Sequence, residues 1–190
     1  MTTAPKNVLI LVGDFVETLE AFSPHDCMIC LGHNVHTICP GKKAGDYVDT
    51  AVHDFVGHQT YNEKPGHRFA INFDLDDVDV TKYDGLVLPG GRAPEYLRLN
   101  EKVLELVVKF NEAKKPIAAI CHGAQILTAI PDILKGRKIS AYPACEPEVK
   151  LAGAEYQKIE VNDAITDGNF VTAPAWPANG VWMRQFAALL

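Results

Sequence analysis

The sequence contains no apolar run long enough to span a bilayer, no internal repeat and no low-complexity segment. Those absences set aside a helical membrane protein, a solenoid and a disordered linker. No basic cluster is longer than Lys42-Lys43 or Lys114-Lys115, and the formal net charge is -6, so neither nucleic acid nor an anionic membrane is an expected partner. Residues 1–6 hold no apolar stretch, so no secretory leader is expected before the first strand-like run. The five cysteines, Cys27, Cys30, Cys39, Cys121 and Cys145, are odd in number, and Cys27-Met28-Ile29-Cys30 has no second pair to complete a zinc site. Free thiols in a reducing cytoplasm are the expectation. What is present is a globular composition: 190 residues, 47% hydrophobic and 22% charged, expected to form one domain over 1–190 with a core that needs no staples.

Residues 8–12 form a continuous apolar run closed by Gly13, the pattern of a doubly buried strand in a parallel sheet. Ser23, Pro24 and Asp26 read as the start of a helix with Met28, Ile29 and Leu31 on its apolar stripe and Gly32 at its end. Residues 35–39 and 84–89 give two more short strands, the second running into Gly90-Gly91. Asn100 then caps an amphipathic helix whose Val103, Leu104, Leu106, Val107 and Phe110 recur at three- and four-residue steps. Strand and helix in alternation define an α/β fold, a mostly parallel sheet with helices on both faces. Residues 41–73 do not fit a crossover; 47–52 and 70–73 read as extra antiparallel strands around a Gly/Pro-punctuated loop. Asp167-Gly168-Asn169 is a hairpin turn, and 181–190 a closing helix.

The chemistry concentrates in KPIAAICHGAQIL, residues 115–127. Pro116 opens a four-residue apolar strand, Cys121-His122-Gly123 breaks it, and small and large residues then alternate at helical spacing. That is a nucleophile on a sharp strand-to-helix turn, with Gly123 permitting close approach of helix to strand. A thiol there lies near a helix amino end, whose partial charge favours thiolate; the alternative is a buried structural cysteine. In an open parallel sheet, ligands bind beyond the carboxyl ends of the strands. The strand ends carry Glu17 and Glu20 after the first, Gly90, Gly91, Arg92 and Glu95 after the third, and Cys121 with His122 after the elbow strand. The N–H groups of Gly91 and His122 are candidates to receive an oxyanion, and Arg92 either meets an anionic substrate or is a surface charge. Glu17 and Glu20 are rivals for the place facing the sulfur.

Cys27 and Cys30 lie past the start of the helix as read, so packing outweighs a redox or zinc role, with His25, His33 and His36 nearby. His53, His58 and His67 read as solvated loop residues, with a loop metal site as the alternative.

VLILVGDFVETLE at residues 8–20, DGLVLPGGRAPEYLRLNE at 84–101, AAICHGAQIL at 118–127, LKGRKISAYP at 134–143 and DGNFVTAPAWP at 167–177 together resemble the DJ-1/PfpI (ThiJ) superfamily of class I glutamine-amidotransferase-like folds. The resemblance covers nearly the whole chain. AGDYVDTAVHDF and GHQTYNEKPGH, with Ala175-Trp176-Pro177, are most similar to the plant-type glyoxalase branch. It implies a three-layer, flavodoxin-like sandwich with an added antiparallel hairpin. Cys121 matches the family's reactive cysteine, His122 its adjacent histidine, Glu20 the carboxyl that hydrogen-bonds the sulfur, and Glu95 the acid that in PfpI-type oligomers reaches a neighbouring subunit's histidine. Many members have a Ser/Arg-His-Pro stretch where this chain has Ala175-Trp176-Pro177, so a second active-site histidine is not expected there and Trp176 offers an apolar pocket wall. The implied activity is a glyoxalase without cofactor or metal, turning a small 2-oxoaldehyde into a 2-hydroxy acid, with a deglycase role chemically adjacent. A PfpI-like peptidase using Cys121, His122 and Glu95, and a redox sensor or chaperone built on Cys121, are the alternatives. A homo-oligomer (dimer, trimer or hexamer) is implied.

Overall fold

The computed structural model of the chain describes residues 4–190; Met1, Thr2 and Thr3, where the absence of a leader was read, lie outside them. The strands are β1 (Asn7–Leu11), β2 (Val16–Glu17), β3 (Asn34–Ile38), β4 (Tyr47–Val52), β5 (Lys64–Ala70), β6 (Gly85–Leu88), β7 (Ile117–Ile120), β8 (Lys138–Ile139), β9 (Glu155–Tyr156), β10 (Ile165–Asp167) and β11 (Phe170–Ala173). The helices are α1 (Thr18–Cys30), α2 (Ala93–Leu97), α3 (Glu101–Glu112), α4 (Ala124–Thr128), α5 (Pro131–Leu134), α6 (Glu146–Leu151) and α7 (Asn179–Ala187). Among the described residues, no helix is long and apolar enough to cross a membrane.

The central sheet has the order β10-β11-β7-β6-β1-β3, parallel except for β10. Its middle strands are apolar throughout because both faces are covered: every residue of β6, β7 and β11 is buried, as are Val8 to Leu11 of β1. The chain leaves β1 toward β3 on one side and later fills β6, β7 and β11 on the other. Right-handed crossovers in opposite directions put α1 and α3 on opposite faces, completing three layers. The order reverses between β1 and β6, and the crevice beyond their carboxyl ends lies beside the end of β7. The inserted segment supplies a second sheet, β2-β4-β5, in which β4 and β5 are antiparallel. A bridge between Val16 and Gly91 joins β2 to the turn after β6.

Three local expectations are corrected. α1 starts at Thr18, not at Ser23: the Glu17 side chain caps it by accepting the Leu19 N–H at 3.1 Å, and Pro24 lies inside the helix on its buried face. Its inward stripe is therefore Glu20, Ala21, Pro24 and Met28, while Ile29 and Leu31 are exposed. The second strand of the insertion spans Lys64–Ala70 rather than 70–73, because β5 pairs with β4 as far as Lys64.

Lys114 follows α3 with φ of +54°, a left-handed position at which a side chain is strained, while the Lys115 N–H returns to the Phe110 carbonyl at 3.0 Å. Lys114 is exposed, so only the backbone is at stake. Lys114→Gly is expected to stabilise the chain by about 0.5–1 kcal/mol, the relief of strain less the extra freedom of glycine when unfolded. The check is a rise in urea midpoint at unchanged slope.

Candidate active site

Cys121 ends β7 and turns the chain into α4 with φ of +57°, a conformation that costs a non-glycine residue roughly 1–2 kcal/mol. The turn is tight enough that a Cβ on Gly123 would come within 2.1 Å of the Leu88 carbonyl oxygen of β6. The expected elbow is therefore present, and it holds the Cys121 side chain over the crevice. Sγ lies 3.2 Å from Nδ1 of His122. The His122 ring is buried, stacked on Tyr142 at 4.7 Å and meeting the edge of Tyr61 at 5.8 Å. Burial, and next the charge of His53, lowers the His122 pKa to about 4, so the ring is neutral and its free nitrogen can accept a proton.

The thiol differs from the expectation. Burial, followed by the charge of Glu20, pushes Cys121 well above its ordinary value, and the backbone N–H groups of His122 and Gly91 only partly oppose this. The helix that follows is a single short turn, too little dipole to outweigh burial. Burial thus works against the thiolate that the elbow position favours. The N–H groups of Gly91 and His122, expected to serve an oxyanion, thus point at the sulfur end of the cleft.

Glu20 is fully buried on the inner face of α1. Its Oε2 accepts the Gly90 N–H at 2.8 Å, whereas Oε1 has no partner. Burial, then the charge of Glu17, raises its pKa to about 8, with the Gly90 N–H and the Cys121 side chain pulling it down. Only glycine fits at Gly90, where a Cβ would lie 2.6 Å from Glu20 Oε2 and 2.7 Å from the Cys121 Cβ. Glu20, not Glu17, is therefore the carboxyl packed beside the sulfur.

Glu17 has a different partner, one the sequence reading placed in solvent. His53, at the end of β4, is buried, and its Nδ1 lies 2.6 Å from Glu17 Oε2, which also accepts the His53 backbone N–H at 3.0 Å. Nε2 of His53 lies 3.2 Å from Glu63 Oε2, and Glu63 is bonded in turn by Arg92. The Trp176 indole donates to the His53 carbonyl at 3.3 Å. The signal was hidden by a register shift between Asp49 and Ala51, which moves the inward phase of β4 onto Ala51 and His53. His58 and His67 are exposed, as expected, and no cluster of metal-ligating side chains occurs among the described residues.

Glu17, Glu20, His53, Gly91, Cys121, His122 and Trp176 line one narrow cleft walled by Phe55, Tyr61 and Tyr142. Three candidates are not in its lining, and of these Gly90 is the buried donor to Glu20. Arg92 is exposed, paired with Glu63 and laid over Phe15 at 4.9 Å. Glu95 is exposed on α2 and makes no contact with His122. Cys30 is exposed and Cys27 half-buried at the far end of α1, while Cys39 and Cys145 are buried; all are free thiols.

The chain is a three-layer α/β sandwich with a cysteine on a strained elbow, a buried acid beside it and a histidine next in sequence. The chain belongs to the DJ-1/PfpI family, whose model matches residues 6–189. It is 49% identical to Protein DJ-1 homolog D of Arabidopsis thaliana over all of this chain but 49% of that protein, so the chain spans about half the length of the plant relatives it matches. It is 39% identical to a deglycase of Thermococcus kodakarensis, covering 96% of this chain and 98% of that one. Drosophila melanogaster DJ-1beta shares the fold at a TM-score of 0.79 and 20% identity, over 96% of this chain and 89% of the other.

Proposed function

We propose that the chain is a cofactor-independent glyoxalase that converts small 2-oxoaldehydes such as methylglyoxal to 2-hydroxy acids. The observation that carries this reading is Glu20: a carboxyl with a pKa of about 8 beside a nucleophilic thiol is a base poised near neutral pH, ionised in roughly a tenth of molecules at pH 7. Cys121 attacks the aldehyde carbon while neutral His122 takes the thiol proton and returns it to the new oxygen, giving a hemithioacetal. Ionised Glu20 then removes the hydrogen from that carbon and delivers it to the neighbouring one. The resulting hydroxyacyl thioester is hydrolysed by water, which frees the thiol and the acid.

Cys121→Ala is expected to lower lactate formation from methylglyoxal at least a thousandfold, measured as D- and L-lactate without glutathione. Full turnover by the variant would exclude the scheme. Deglycation is a second reading, favoured by the archaeal relatives that bear that name over nearly their full length. The same thiol would attack the carbon bearing the glycated amine. A peptidase reading needs an oligomer that carries the exposed Glu95 to a neighbouring subunit's histidine, and the redox reading needs preferential oxidation of Cys121 by mild peroxide.

A further inference from the structure

The Cys121, His122 and Glu20 scheme leaves one proton unmoved. Shifting hydrogen from the first carbon to the second also requires a proton to pass from the oxygen on the first carbon to the oxygen on the second. His53 is placed for this. Both ring nitrogens meet carboxylates, Glu17 at 2.6 Å and Glu63 at 3.2 Å. A neutral imidazole has one N–H and cannot donate to both, so the geometry calls for imidazolium. The ring is fixed by its own backbone N–H on Glu17, by Trp176 on its carbonyl and by the edge of Tyr61 at 5.1 Å. Among the described residues lining the cleft there is no lysine or arginine, and His122 is neutral. His53 is therefore the one cation facing the substrate space.

We propose that His53 is the acid and electrophile of this site, an imidazolium held between Glu17 and Glu63 that receives the oxygen on the second carbon of the substrate. The inference rests on the glyoxalase reading and narrows its substrate class to compounds with two adjacent carbonyls, one of them an aldehyde. As Glu20 removes the hydrogen from the first carbon, the second oxygen takes the place of the half-exposed Glu63 carboxylate at Nε2–H and receives its proton, forming a neutral enediol. Glu20 then protonates the second carbon, and the hydroxyl on the first carbon returns its proton to Nε2 as it becomes the thioester carbonyl. No proton or electron is left over. Glu63 is kept close by Arg92 throughout.

The groups facing His53 are Glu17 at the end of β2, Glu63 before β5, Tyr61 in the intervening loop, Glu20 on α1, and Cys121 with His122 at the elbow. Burial works against the charge on His53, and the hydrogen bonds to Glu17 and Glu63 outweigh it, raising the pKa.

The test compares wild type with His53→Gln and Glu63→Gln in the full chain, by turnover of methylglyoxal and by calorimetric binding of acetohydroxamate, a small mimic of the enediolate. For His53→Gln, kcat is expected to fall about 100- to 1000-fold with KM within threefold, and hydroxamate affinity to fall at least tenfold. Glu63→Gln alters a half-exposed carboxyl and serves if His53→Gln does not fold. Loss of that carboxylate lowers the His53 pKa, so the break that His53 sets in the pH profile for kcat/KM moves to lower pH, a change that a purely structural role would not cause. Unchanged kcat in His53→Gln, unchanged hydroxamate affinity, or an unmoved pH profile in Glu63→Gln each overturns the proposal. If wild type makes no lactate, the glyoxalase reading fails on its own, and hydroxamate binding alone decides His53: tenfold weaker binding in His53→Gln supports it, and equal or absent binding overturns it.

Discussion

Glu20→Gln is expected to melt higher than wild type at pH 8 while losing at least a hundredfold in lactate formation. The folded chain keeps the Glu20 proton up to about pH 8, whereas an ordinary carboxyl releases it near 4.5. Because the folded pKa is the higher one, the stability associated with this group is fully present below about pH 4.5 and is lost as pH rises toward 8. The whole rise, from 4.5 to about 8, is worth roughly 5 kcal/mol. Glutamine cannot ionise, still offers an oxygen to the Gly90 N–H, and escapes most of that loss. For a chain of this size, about 2–4 °C per kcal/mol makes the gain roughly 8–16 °C at pH 8, falling away by pH 5. Thermal melts at the two pH values check it; a variant melting at or below wild type at pH 8 refutes it. Removing the base in the proposed scheme costs about 100- to 10,000-fold in rate. Stability and catalysis pull in opposite directions at this carboxyl because the same burial that destabilises its charge tunes it to neutral pH.

Gly123→Ala is expected to destabilise the chain severely, by a clash with main chain alone. The new Cβ would meet the Leu88 oxygen at 2.1 Å and the Leu88 carbon and Pro89 oxygen at 3.1 Å, all main-chain atoms that cannot rotate away. Relief requires β7 and the elbow to part from β6 in the middle of a close-packed sheet, at roughly 3 kcal/mol or more. The urea midpoint and the soluble yield report the loss. Gly180→Ala is the control: nothing lies within 4 Å of its added Cβ, and alanine is the better helix former in α7. A Gly123→Ala chain as stable as wild type would show that the elbow is looser than its contacts indicate.

How much of this was legible in the sequence depended on what each segment buries. β1, β6 and β7 announce themselves because a strand covered on both faces must be apolar along its whole length, and Asn100 announces α3 because its side chain accepts the Lys102 and Val103 N–H groups. The Cys121 elbow was visible in the abrupt change from that pattern to Cys-His-Gly. α1 misled because proline is normally confined to the first turn, whereas here Glu17 caps the helix and Pro24 follows inside it. Glu20 stood out only by resemblance to the family, since a lone carboxyl on a helix usually faces water. His53 was not legible at all: a two-residue periodicity cannot reveal a side chain whose inward direction comes from a bulge in the strand before it.

The hydrogen bond from Trp176 to the carbonyl of His53 spans 123 positions of the chain. Long-range contacts of this kind close late, after the entropy of bringing distant segments together has been met by other pairings. On a ribosome that extends the chain from its amino end, β1, α1 and the β4-β5 hairpin emerge early, yet the wall that shelters Cys121 is incomplete until residue 176 has been made and docked. The Cys121 turn is thus made before the wall that covers it, and the cleft closes only with the last part of the chain.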